Sequence, residues 1–372
     1  MRAARGGRWT VLASAGRADV LDLPADVGQR SLSFRFDLID GRTGVRRGPL
    51  TPLRDTTPTL AHDITGTIVR RVSGLVLGVR DAARLNPLTD RVAISMVVGG
   101  QQRSYPLGRY MVGDATELAT SSGSTVPLTF FDEMFIVDQE LETGFESGGQ
   151  LVDQAIQRLL EAMPIGELQV DATELTSVSA WSPGNTRGMA LRDLARQGGY
   201  FLPWFNHAGR LRLMRAFEPA SQPPTIDLDA SRRVIRGSVA RGSDLLSAPN
   251  RFVVVSNDPG EEALPVVGTY DVPSSAPHSI ARRGFVLPRV VEAQLPSQVA
   301  ADVYARTLGI QQTVYETVEL STPLDPRHDG YDVVRWDGVL WLETGWTMPL
   351  TAGGEMRLTL RRAYPDTGGD DL

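Results

Sequence analysis

The chain has 372 residues, 41% of them apolar, and a net charge of −6, which is enough for about two or three domains with buried cores. It contains no cysteine, and all 38 of its basic residues are arginine. That excludes disulfide frameworks, thiolate zinc sites, GxxxxGK phosphate loops, Schiff-base lysines and Ser-Lys dyads, while the acidic balance argues against a dedicated DNA binder, which needs to neutralise phosphates.

Residues 1–28 alternate short apolar pieces with Gly, Arg and Asp and read as an extended N-terminal arm. They lack the apolar run of about 7 to 15 residues that a secretory signal needs, and no later run of about 20 apolar residues predicts a membrane span. From Ser31, Leu32, Phe34 and Phe36 alternate with polar neighbours, the period of a half-buried strand. Val92, Ile94, Met96 and Val98 repeat that pattern, Gly99-Gly100 supplies turn residues, and Tyr105, Leu107, Tyr110 and Val112 continue it. After "ATSSGS", Val126, Leu128 and Phe130 resume the same rhythm. Residues 29–137 thus read as a first antiparallel β-barrel or sandwich.

The period then changes to 3.6. Leu151, Val152, Ala155, Ile156, Leu159 and Leu160 predict a helix that Pro164 ends, and Met189, Leu191, Leu194 and Ala195 predict a second one stopped by Gly198-Gly199. With the strand "ELQVDA" and a hairpin through "NHAGR", residues 138–217 form a small α/β domain. Residues 218–364 return to β patterning after a Pro-rich linker, with an inserted helix whose Val299, Val303, Ala305, Leu308 and Ile310 are expected to line one side. Asp337-Gly338 between apolar runs predicts a tight hairpin, and residues 365–372 read as a flexible acidic tail. The echo between "ELATSSGSTVPLTFFD" and "PLTAGGEMRLTLRRA" fits two related β units in one chain. The expected fold is therefore mainly β, with two antiparallel tube-like barrels flanking a small α/β module.

The densest chemistry lies in "DPRHDGYDVV", Asp325 to Val334. A metal site would need Asp325, His328, Asp329 and Asp332 to converge, yet neighbouring side chains in a turn diverge. Turn chemistry explains the segment better: Asp325 precedes Pro326, Arg327 can pair with a flanking acid, and Asp329-Gly330 completes a reversal that launches "YDVVRW". Asp325, Pro326, Arg327, His328, Asp329 and Gly330 are thus expected to form a structural turn. No GxSxG elbow or GxGxxG loop exists, and Ser147 in "GFESGG" is expected in the loop before a helix or as its cap. Glu140, Glu142 and Glu146 read as solvated loop acids. Tyr200, Phe201, Trp204 and Phe205, like Trp336, Trp341 and Trp346, read as core rather than as a sugar platform. No catalytic, metal or cofactor residue is expected.

The ordered series "YPLGRYMVGDATE" (Tyr105 to Glu117), "TVPLTFFDEMFIV", "MALRDLARQGGYFLPWFNHAGRLRL" (Met189 to Leu213), "APNRFVVVS" (Ala248 to Ser256), "SQVAADVYARTLG" and "PLDPRHDGYDVV...WTMPL...GEMRLTLRRAY" resembles the tail-tip hubs of bacteriophages. These are minor tail proteins of long non-contractile tails, similar to the central baseplate hub of contractile phages. The resemblance spans roughly residues 29–364 and lies in the order of segments, not in one motif. It implies a homotrimer whose two tube-like domains per chain make a pseudo-sixfold ring at the tail tip. The implied partners are the distal tail protein or tail-tube hexamer, the tape-measure protein and other tail-tip or receptor-binding proteins, with DNA only in transit. The implied location is the virion, after assembly in the host cytoplasm. A tail-associated cell-wall hydrolase and a carbohydrate- or receptor-binding tail module are the alternatives.

Overall fold

The structure, a computed structural model, describes residues 9–12, 32–99, 103–120, 123–231, 234–235, 239–244, 246–256 and 266–365. It is mainly β, with an α/β insertion, as the periodicities predict. Both β regions run into one fourteen-stranded sheet. Its main path is Arg46–Leu50, Leu32–Ile39, Arg91–Val98, Arg103–Ala115, Gly123–Phe131, Arg70–Gly78, Thr59–Asp63, Val339–Pro349, Glu355–Arg362, Glu316–Pro323 and Val239–Ser243. The two halves meet where Thr59–Asp63 pairs antiparallel with Val339–Pro349, Trp346 opposite His62.

One hydrophobic core serves both halves, with Leu38, Val72, Ile94, Met96, Leu107 and Phe130 packed in the same cluster as Val318, Trp341, Met356, Leu358 and Leu360. Strand alternation sends these residues inward, and each large side chain so buried is worth about 1.5–3 kcal/mol. The alternation slips at two glycines. Leu107 and Tyr110 are both buried because Gly108, at φ +128°, lets the strand change phase between them, and Gly74, at φ +74°, does the same between Val72 and Leu75. A left-handed residue at such a bulge is where glycine fits without strain. The Asp337-Gly338 hairpin forms as expected, with φ of 55° and 73° closing Trp336 onto Val339. The Gly99-Gly100 turn lies partly outside the described residues, but Val98 pairs with Arg103 across it.

The α/β module has its own core, in which helices Val152–Leu160 and Arg187–Gln197 pack through Ile156, Leu159, Leu191 and Leu194 against strands Leu168–Asp171 and Leu211–Leu213. Thr186 caps the second helix by accepting from Met189 N at 3.1 Å, a contact worth about 1 kcal/mol. The N-terminal arm contributes here: Trp9–Leu12 pairs in parallel with Leu168–Asp171 and extends the module's sheet to four strands.

A third cluster departs from the sequence expectation. Arg251–Ser256, Val267–Asp271 and Pro288–Ala293 form a separate three-stranded sheet, covered by the helix Gln298–Gln312. That helix buries Ala301, Tyr304, Ala305 and Leu308, whereas Val299 is 63% exposed. The face is selected by close approach. A Cβ on Gly268 would lie 2.0 Å from Ala301 O, and one on Gly309 would lie 2.1 Å from the Tyr270 ring. Small residues on both sides let helix and strand touch, so the bulkier valine is left outside. The helix ends on a buried arginine of the main sheet: Arg361 donates to Gln311 O at 2.8 Å, to Thr313 O at 3.0 Å and to Ile310 O. These are orphan carbonyls of a helix C-terminus, where the macrodipole also favours a cation.

Candidate functional site: a buried ionic junction

In the segment Asp325–Gly330 each polar side chain faces a different partner. Asp325 accepts from Arg327 N at 3.0 Å and takes its guanidinium at 2.6 Å. Burial raises the Asp325 carboxyl, but the Arg327 hydrogen bonds and the neighbouring positive charges outweigh it and hold it below its ordinary value. His328 Nδ1 lies 2.5 Å from Glu343 Oε2, both side chains being 1% exposed. Burial lowers the His328 imidazole, and the Glu343 carboxylate more than reverses this, so it titrates above an ordinary histidine. Asp332 accepts from Asp329 N at 2.8 Å and from Thr225 Oγ1 at 2.7 Å.

Asp329 points the other way, to the guanidinium of Arg70, and also accepts from the Trp204 indole at 3.2 Å. Arg70 is 1% exposed and joins three parts of the chain. Its Nε donates to His62 Nδ1 at 3.1 Å, its Nη1 reaches both Leu107 O and His207 Nδ1 at 3.4 Å, and its guanidinium lies 5.5 Å from the Trp346 ring centroid. Trp346 in turn stacks on His62 and donates to Asp329 O at 3.1 Å. Burial, with Arg70 beside it, holds the His62 imidazole well below the ordinary value, so it is neutral and accepts. Main sheet, α/β module and the 325–332 segment therefore close around one guanidinium.

The reversal itself differs from the sequence expectation. The left-handed residue is Tyr331, at φ 60°, not Gly330. Gly330 is required because a Cβ there would sit 2.9 Å from the Trp204 indole. Tyr331 is held in its strained conformation by stacking on Phe201 at 4.0 Å and edge-on contact with Trp204.

A second junction sits beside it. Glu133, 1% exposed, takes Arg91 at 2.9 Å, Arg109 at 3.1 Å and Gly166 N at 2.8 Å, tying sheet to module. The adjacent Asp132 is pushed up to about 7 by burial while it accepts from Arg70 N and Met134 N. No motif in the sequence marks His62, Arg70, Glu133 or Glu343. A signal existed for the first two: His62 is in phase with buried Leu60, and Arg70 with buried Val72.

The other candidates take the places expected. Tyr200, Phe201, Trp204, Phe205, Trp341 and Trp346 are all buried, while Trp336 is half-buried against the edge of the same core as Trp341. Ser147 is buried in the loop, donating to Ser179 O at 2.9 Å, and does not cap the following helix. Glu140, Glu142 and Glu146 are exposed. Among the described residues no three His, Asp or Glu side chains are grouped to hold a metal ion. Chemically the junction positions charges against one another in a dry site, the condition under which losing one partner costs most.

No protein-family model matches the sequence, and no curated protein does. Solved structures do match. A tail protein from Neisseria meningitidis MC58 is similar with a TM-score of 0.57 at 15% identity, over 90% of this chain and 100% of that one. The 43 kDa tail protein of prophage MuSo2 from Shewanella oneidensis gives 0.56 at 14% identity, over 88% and 98%. A prophage tail protein from Listeria monocytogenes EGD-e gives 0.57 at 12% identity, over 88% and 94%. The chain has the fold of these tail proteins over 88–90% of its length.

Proposed function

We propose that the chain is a structural protein of a phage tail tip, the hub of a baseplate-like assembly. The observation that carries this reading is the match in fold to tail proteins over nearly the full length of both partners. In it, residues 29–137 and 218–364 act as two tube-like units of one ring subunit, and residues 138–217 as the module set between them. Three copies close a pseudo-sixfold ring that continues the tail tube, contacts the tail-tube hexamer or distal tail protein on one side and tip or receptor-binding proteins on the other, and leaves a channel for the tape-measure protein and DNA. The antiparallel joint between Thr59–Asp63 and Val339–Pro349 supports it, because it welds the two halves edge to edge as a ring wall requires. The segment Asp325–Gly330 then serves as a structural turn, tied to the wall through Arg70 and Glu343 and to the module through Trp204.

Quantitative mass spectrometry of purified virions tests the reading by counting this chain against the tail-tube protein. About three copies per particle are expected for a closed threefold ring. About six would move the chain to a hexameric ring, and absence from the particle would remove the tail assignment.

A further inference from the structure

An open cleft of about 510 Å³ lies where the linker before Pro219–Ser221, the end of strand Val267–Asp271 and the loop that follows it come together. Its size falls within the range of small-molecule sites. Glu218, Arg251, Tyr270, Asp271, Ser274 and Ser279 supply its polar lining, with Pro273, Ile280 and Ala281 as apolar wall.

The charges in this lining are matched pair by pair. Arg251 holds Asp271 through two parallel bonds of 2.6 and 2.7 Å, and Glu218 takes Arg306 at 3.3 Å and the Tyr270 hydroxyl at 3.5 Å. The first pair stays accessible, its side chains 37% and 45% exposed. A guanidinium has five N–H donors and a carboxylate about four acceptor sites, so each partner keeps bonding capacity after the pair forms. Mutual neutralisation leaves no strong field for an ion, while pairing fixes the groups in place. Fixed donors and acceptors beside an apolar wall match a ligand that carries vicinal hydroxyls on a C–H face.

We propose that this cleft binds a neutral saccharide. The site differs from the aromatic residues that the sequence first offers, since Trp204 and Trp341 are 3% and 0% exposed and present no ring face to solvent. It needs only this chain, so it stands or falls independently of the ring.

The test is saturation-transfer NMR and calorimetry on the full chain with N,N′-diacetylchitobiose and maltotriose as probes. At least one probe is expected to bind with Kd on the order of 1 mM, and Asp271→Asn to weaken it about tenfold, the loss of one hydrogen bond to a charged group. Glu142→Gln, on an exposed loop elsewhere, should leave binding unchanged, and the unfolding midpoint of Asp271→Asn should equal that of the parent. Failure of both probes to bind, equal binding by the parent and Asp271→Asn, or tighter binding of N-acetylneuraminic acid than of either neutral probe would overturn the proposal.

Discussion

The same pair of residue types does two different jobs in this molecule. Arg70 and Asp329 meet in a dry junction, 1% and 18% exposed, whereas Arg251 and Asp271 meet at the mouth of a cleft, 37% and 45% exposed. In the first place water cannot replace a lost partner, so the pair holds the architecture. In the second it can, so the pair is free to serve recognition. Environment, more than residue type, decides which role an ion pair has.

The sharpest way to break this comparison is Asp329→Ala. It leaves the Arg70 charge buried beside neutral His62, and a loss of about 3 kcal/mol or more is expected in urea unfolding; a loss near zero would show that the junction is wet. Arg361→Met comes next. Three carbonyls at the end of the Gln298–Gln312 helix, that of Ile310 buried and the other two partly so, lose their donor, which should cost about 2 kcal/mol. Hydrogen exchange should speed up in that helix before it does so in the main sheet.

A smaller effect is expected from pH. His328 faces Glu343, with Asp325 and Arg327 nearby, and titrates above the ordinary value of 6.5. Its contribution to stability is full below that value and is lost as the pH rises through the raised one. Unfolding at a series of pH values should show that loss, and His328→Gln should flatten the slope over the same window. Asp271→Asn is the least disruptive change, with no expected shift in thermal midpoint; a clear drop would make the cleft pair structural and erase the contrast.

What could be read in the sequence was what is local. The Asp337-Gly338 hairpin, the pairing of Val98 with Arg103 and the two module helices follow from residues within a few positions of one another. The Asp325–Arg327 pair follows in the same way. Arg70 and Asp329 stand at distant points of the chain, and no periodicity connects them. The helix Gln298–Gln312 is legible in its periodicity, but its buried face depends on Gly309 meeting Tyr270 and on Gly268 of the partner strand meeting Ala301, contacts made by residues far apart in the chain. Gly330 reads in the sequence as part of the reversal, while its necessity comes from the Trp204 ring against it.

The joint between Thr59–Asp63 and Val339–Pro349 has a consequence for how the protein is made. During synthesis the first of these strands leaves the ribosome long before the second exists, so its outer edge waits uncovered while most of the polypeptide is still being translated. Such an edge is a template for pairing with the wrong chain. High-level expression should therefore favour aggregates of nascent or truncated chains over misfolded full-length protein. Co-expressing the missing C-terminal half with an N-terminal fragment should keep that fragment in solution.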